Sequence, residues 1–170
     1  MELFHSYMES PIGKLLLATD EAALRHIVFP SGSEPAMPLP HWRQNRTPLR
    51  ETIRQLQAWF AGELREFDLA LAPGGPAFHQ RVWRELRSIP YGETISYGEL
   101  ARRIGSPNAS RAVGRANGAN PLPIVIPCHR VIGGNGKLTG YGGGLPRKEF
   151  LLALERKQKQ MYHSLTVAAR

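Results

Sequence analysis

Cys128 is the only cysteine in the chain and lies in Ile126-Pro127-Cys128-His129-Arg130-Val131, with an imidazole and a guanidinium as its next two side chains. The thiolate is the reactive form of cysteine, and cationic or imidazole neighbours pull its pKa below the free value of about 8.5. That setting points to nucleophilic chemistry, with His129 as base and a carboxylate from another element to orient it. The competing reading is a packed thiol, because free cysteine is among the most buried residue types. A lone cysteine has no intramolecular disulfide partner, and the histidines offer no zinc-site spacing around it. The apolar run from Pro123 to Ile126 reads as a strand leading into Cys128. Side chains alternate along an extended segment, so His129 reaches the thiol through a bridging water.

The elements that must position this group fall into two halves. Leu3 to Met8, Lys14 to Thr19 and Ala23 to Phe29 read as an antiparallel meander, and Pro30 to Pro48 as a proline-rich loop. Ile53, Leu56 and Phe60 recur at helical spacing within a helix over 49–61, and a strand is expected near Phe67 to Leu71. Pro73-Gly74-Gly75-Pro76 then breaks both helix and strand. The expected division is an N-terminal α/β domain over 1–72, a C-terminal domain over 76–158 and a basic tail over 159–170. The fold class is α+β, a small antiparallel sheet with a helix followed by a mainly helical part.

In the second half Phe78, Val82 and Leu86 share one helical face, widened by Trp83. Ser96 with Glu99 is a capping box, so a helix starts at Tyr97 and stops before Gly105 and Pro107. A second helix begins near Asn108, with Ala109, Ala112, Val113 and Ala116 inward and Arg111 and Arg115 outward. The pair fits a helix-turn-helix that enters DNA, and equally a helix hairpin with solvated arginines. Asn120-Pro121 ends that helix, Asn135-Gly136 reads as a tight turn, and Tyr141-Gly142-Gly143-Gly144 sets a ring beside bare backbone, which suits a flat ligand. A last helix from Pro146 is expected to carry Phe150, Leu151 and Leu154 inward and to present Glu155.

Composition narrows the function. In 170 residues, 22 Lys and Arg against 14 Asp and Glu leave a formal charge of +8, which favours a polyanionic partner over an acidic small molecule. With 42% hydrophobic residues an ordinary core is available. Neither a secretory signal nor a membrane-length apolar stretch is visible, so a cytoplasmic protein without membrane attachment is expected.

Taken together, Ile126-Pro127-Cys128-His129-Arg130-Val131, Arg111-Ala112-Val113-Gly114, Asn120-Pro121 and Tyr141-Gly142-Gly143-Gly144-Leu145 resemble the O6-alkylguanine-DNA alkyltransferases. The resemblance is close over about residues 76 to 155. It implies DNA repair by direct reversal: one alkyl group moves irreversibly from guanine O6, or less efficiently from thymine O4, to Cys128, after the nucleotide is flipped out of duplex DNA. By the same resemblance His129 deprotonates Cys128 through a water, Glu155 orients His129, Asn120 braces the turn beneath the site and Tyr97 donates a proton to the departing guanine. Arg111 enters from the minor groove and fills the gap, and Ser110, Ala112, Gly114 and Arg115 complete the DNA-facing set. Tyr141 and Pro123 wall the base, with backbone at Val131 and Gly142 for its polar edge. A monomer with no cofactor and no metal is implied.

Two departures stand out: Gly142 replaces a serine found in some relatives, and the cysteines that hold a structural zinc in others are absent. Rival readings are a lesion-binding protein without transfer, which would lack the acceptor cysteine, a bifunctional activator, which would need a further cysteine-rich domain, and a cysteine hydrolase, which would turn over.

Overall fold

The computed structural model describes all residues from Met1 to Arg170 and separates into two compact units. The first comprises Met1–Pro76 with Asn120–Val125; the second comprises Ala77–Ala119 with Ile126–Arg170. The return of 120–125 to the first unit has no counterpart in the sequence pattern.

In the first unit β1 (Phe4–Met8), β2 (Leu15–Thr19) and β3 (Leu24–Val28) form the expected antiparallel meander. All five residues of β2 are buried, so this central strand is covered on both faces. A fourth strand, β4 (Arg43–Gln44), arises inside the proline-rich loop and pairs in parallel with β1, giving the order β3-β2-β1-β4. The helix α1 (Arg50–Phe60) buries Ile53, Leu56 and Trp59. The strand expected near Phe67 to Leu71 is reduced to one parallel bridge between Leu71 and Leu24. Its backbone finds another partner: the Gln55 carboxamide accepts from Asp68 N and donates to Asp68 O, each at 2.9 Å. The 120–125 segment joins this unit through Ile27 N, which donates to Pro121 O at 2.9 Å.

The second unit is built on α2 (Ala77–Leu86), α3 (Tyr97–Arg103), α4 (Ser110–Gly118) and α5 (Leu145–Ala168). Two-residue strands β5 (Ile95–Ser96) and β6 (Val131–Ile132) pair in parallel. Val82, Trp83 and Leu86 of α2 are buried, and Trp83 Nε1 donates to Ala116 O at 2.8 Å, fixing α4 to α2. No helix is long and apolar enough to cross a membrane.

Three expectations need correction. Pro123 to Ile126 is not a strand but a succession of turns in which Ile124 has φ 74°, a left-handed conformation that is rare for a β-branched residue. In α5 Leu151 and Leu152 face inward while Phe150 is exposed, because the buried stripe also carries Lys148 and Glu155 at helical spacing. Residues 159–168, expected as a separate basic tail, continue α5.

Candidate active site

Cys128 opens a single 3-10 turn, Cys128–Arg130, in the second unit. Cys128 N donates to Ile126 O at 2.8 Å and Arg130 N to Pro127 O at 3.0 Å. The backbone is therefore coiled, so alternation along a strand is not what sets the His129 side chain apart from the thiol. Cys128 is 4% exposed and His129 is fully buried.

His129 Nε2 lies 2.9 Å from Glu155 Oε1, both side chains having no solvent exposure. Burial pushes the Glu155 carboxyl up, but hydrogen bonds and charge from His129 and Arg130 outweigh it and hold the group down at about 2. The carboxylate is ionised at neutral pH, so Nε2 carries the proton it shares with Glu155 and Nδ1 keeps the basic lone pair. Burial, the leading effect, keeps the imidazole below its ordinary pKa against the raising influence of Glu155. A neutral imidazole with a defined tautomer is what a general base for a thiol requires.

Arg130 has a different part from the one its position suggests. Its Nε reaches both Glu155 oxygens at 3.0 Å, its second terminal nitrogen reaches Oε1 at 2.6 Å, and its first donates to Ile89 O at 2.7 Å. Gly92 N completes the carboxylate shell at 3.2 Å. The guanidinium is thus neutralised by Glu155 and does not serve as the thiol's cation.

The cation whose field Cys128 does share is Lys148, fully buried on α5. Its Nζ donates to Val131 O at 2.5 Å and to Thr139 O at 3.1 Å, and stands 5.8 Å from the Tyr97 ring centre. Tyr97 is the first residue of α3, directly after Ser96, whose Oγ accepts from Glu99 N at 3.0 Å as the capping box demands. Pairing of β5 with β6 sets that helix start beside the residues that follow Cys128. The Tyr97 hydroxyl donates to Thr139 O at 3.3 Å, and burial is the main reason its pKa is raised. Tyr141 is set close enough to the thiol for the two to interact: burial, followed by the Cys128 charge, raises the pKa of its hydroxyl strongly. Asn117 on α4 donates from Nδ2 to Cys128 O at 3.3 Å.

The structure therefore gathers Cys128, His129, Glu155, Tyr97 and Tyr141, with Val131 contributing its carbonyl. Gly142 is exposed, and a Cβ built on it would meet only Gly118 O, at 3.7 Å. Asn120 and Pro123 belong to the 120–125 segment of the first unit, where Asn120 Oδ1 accepts from Leu122 N at 3.0 Å and shapes the turn. On α4, Ser110, Arg111 and Arg115 are exposed, and Ala112 and Gly114 half-buried. A Cβ on Gly114 would sit 3.9 Å from the Tyr97 ring, an ordinary contact. Sequence reasoning missed Lys148, Asn117 and the coupling of Arg130 to Glu155. The available signal was two charges, Lys148 and Glu155, on the buried stripe of α5. Nowhere do three His, Cys, Asp or Glu side chains converge as metal ligands.

Residues 77–157 match the DNA-binding domain of 6-O-methylguanine DNA methyltransferase, and residues 3–73 its ribonuclease-like domain. The chain belongs to the 6-O-methylguanine DNA methyltransferase family. As a member it is a DNA-repair methyltransferase whose methyl acceptor is a protein cysteine. A methylated-DNA–protein-cysteine methyltransferase of Methanosarcina acetivorans is 54% identical over 153 residues, 90% of this chain and 98% of the relative. One from Mycolicibacterium paratuberculosis is 54% identical over 88% of this chain and 90% of its own. The crystal structure of Mycobacterium tuberculosis O6-methylguanine methyltransferase superposes with a TM-score of 0.85 at 49% identity, covering 92% of this chain and 94% of that one. The mycobacterial protein has also been crystallised in complex with DNA, and that structure matches with a TM-score of 0.84 at 48% identity over 93% of this chain and 94% of its own.

Proposed function

We propose that this methyltransferase repairs O6-alkylguanine, and less efficiently O4-alkylthymine, in duplex DNA by one irreversible transfer to Cys128. The observation that carries the reading is a thiol with 4% exposure set beside an imidazole that is held neutral and locked to Glu155 at 2.9 Å. An in-stack O6 has no path to a sulphur so enclosed. The nucleotide is flipped out, at a cost of a few kcal/mol that is smaller for a damaged base.

The thiol proton passes through a water to His129 Nδ1, and the imidazolium is stabilised by Glu155. Sγ attacks the alkyl carbon opposite O6; the S–C bond forms as the C–O6 bond breaks, and Tyr97 supplies a proton to the departing guanine. His129 then releases its proton to solvent and Tyr97 regains one from it, so both residues end as they began and the net products are a thioether and guanine. Tyr141 walls the base. Arg111, exposed on α4, enters the minor groove as a monomer binds and occupies the gap, with Ser110, Ala112, Gly114 and Arg115 along the same helix.

Intact-protein mass spectrometry tests this with duplex DNA carrying one O6-methylguanine. The expected result is a gain of one methyl per protein, absent in Cys128→Ala. Tight lesion binding without mass gain, or repeated turnover, would overturn it.

A further inference from the structure

The helix α5 carries two apolar stripes. One, with Leu151 and Leu152 beside the buried Lys148 and Glu155, closes on the core of the second unit. The other comprises Phe150, Leu154, Met161, Leu165 and Ala168. At 3.6 residues per turn these five fall within about 60° of arc, roughly 120° around the helix from the first stripe. Phe150, Met161 and Leu165 are 38%, 50% and 69% exposed, Ala168 is exposed and Leu154 is half-buried. The rise of an α-helix gives this second stripe a length of about 27 Å. Its distal half lies beyond the matched DNA-binding domain, which ends at residue 157. A continuous row of large apolar side chains held open to water on a regular helix marks a surface that something else packs against.

Charge identifies the occupant. Glu155 is the last acidic residue of the chain, and Arg156, Lys157, Lys159 and Arg170 follow it. Lys159 is answered by Glu93 at 3.6 Å, whereas Lys157 stands exposed beside the stripe, one turn before Met161. Arg147 borders the other end, and no carboxylate of α5 falls within about 90° of the stripe's centre. We propose that this stripe is a docking face for an acidic amphipathic helix of a partner protein, whose apolar side chains seat on Phe150, Leu154, Met161 and Leu165 while its carboxylates face Lys157. A second copy of the chain fits less well, because an antiparallel pairing lays its own Arg156–Lys159 segment on the same segment, cation against cation. An anionic bilayer takes a helix by a broad apolar face, whereas about 60° of arc is the width of a coiled-coil seam. A phosphate backbone has no use for the aliphatic row.

The probe is a fluorescein-labelled synthetic peptide of a few heptads with Leu at a and d and Glu at e and g, whose glutamates repel one another and keep it from pairing with itself. Fluorescence anisotropy with the full chain is expected to show saturable binding that weakens as salt rises. Met161→Gln/Leu165→Gln, which removes the apolar row without changing charge, is expected to weaken binding by at least about tenfold. Lys157→Glu is expected to weaken it by about two- to fivefold, and a peptide with Lys in place of Glu is expected not to bind. All three positions are exposed and outside the reacting site, so transfer from an O6-methylguanine duplex should proceed at the wild-type rate in both variants. Absence of binding, equal binding of the Lys peptide, or binding untouched by the variants would overturn the inference, as would loss of transfer in Met161→Gln/Leu165→Gln. Self-association, binding to phosphatidylglycerol vesicles or binding to undamaged duplex DNA that disappears in Met161→Gln/Leu165→Gln would also overturn it, by giving the stripe to one of those occupants.

Discussion

Glu155→Gln removes one charge from a fully buried cluster while preserving its shape. The carboxylate now accepts from His129 Nε2 at 2.9 Å, Arg130 Nε at 3.0 Å, Arg130 NH2 at 2.6 Å and Gly92 N at 3.2 Å. A glutamine has one acceptor oxygen for four donors, and its own N–H groups oppose those of Arg130. The guanidinium is left with Ile89 O at 2.7 Å and the Tyr91 ring at 5.7 Å, neither of which carries a negative charge. Breaking a buried ion pair by removing one partner costs about 3–5 kcal/mol. Against a total stability of about 5–15 kcal/mol the variant remains mostly folded at room temperature. The chemical effect is separate: without an ionised partner His129 loses its fixed tautomer and its stabilised imidazolium, and transfer should slow by about 10²–10⁴.

The double variant Glu155→Gln/Arg130→Met distinguishes the two effects. Replacing the stranded cation by an apolar side chain should restore most of the stability, because no uncompensated charge remains, while the transfer rate stays low. Urea denaturation supplies the stability and single-turnover mass spectrometry the rate. A Glu155→Gln protein within about 1 kcal/mol of wild type, or a double variant that regains transfer, would refute this account of the cluster.

Acid should destabilise the protein in two stages, since His129 is held neutral by burial and Glu155 is held ionised at about 2. A folded pKa below the unfolded one gives stability that is present above the unfolded value and lost as pH falls: from about 6.5 downward for His129, and from about 4.3 toward the folded value for Glu155. Denaturation across pH checks this, and stability rising between neutral pH and pH 5 would contradict it. Gly142→Ser should fold normally, the nearest atom to its new Cβ being Gly118 O at 3.7 Å; because the glycine leaves room for a bulkier adduct, the variant should slow benzyl transfer more than methyl transfer, and equal rate ratios in the two proteins would contradict this. Ending the chain after Gln160 should change stability by less than about 0.5 kcal/mol. Met161 and Leu165 are 50% and 69% exposed, and the Lys159–Glu93 pair at 3.6 Å is retained, so a larger loss by thermal melting would show an unseen packing role.

Legibility in the sequence follows the range of the interactions. The meander, α1, α2 and the capped start of α3 all come from periodicity or from local chemistry between near neighbours, and the structure has them where expected. β4, β5 and β6 are two residues each and owe their existence to partners far along the chain, so no local pattern announces them. The 67–71 segment fails for a related reason, a long-range hydrogen bond from Gln55 taking the backbone that a strand would have used. Cys128 and His129 were legible because their chemistry is adjacent in sequence. Arg130 was misread because adjacency to the thiol suggested a charge that Glu155, on a different helix, in fact absorbs. Lys148 and Asn117 look like surface residues of amphipathic helices until tertiary packing buries them.

The enclosure that excludes an in-stack base also bears on the protein's fate after reaction. Transfer leaves a methyl thioether at a position 4% exposed, with its carbonyl held by Asn117 and the buried Tyr141 hydroxyl within reach of the Cys128 charge. A methyl thioether does not fit the volume a thiol occupied. Inserting one methyl-sized group into a well-packed site costs about 1–3 kcal/mol. For a chain of this length each kcal/mol lowers Tm by about 2–4 °C, so the alkylated protein should melt roughly 2–12 °C below the free form. Calorimetry on protein before and after reaction with a methylated duplex, freed of DNA, measures this directly. An unchanged or raised Tm would show that the site already holds a methyl-sized space beside Sγ, and that burial of the thiol serves selection of the base without strain in the product.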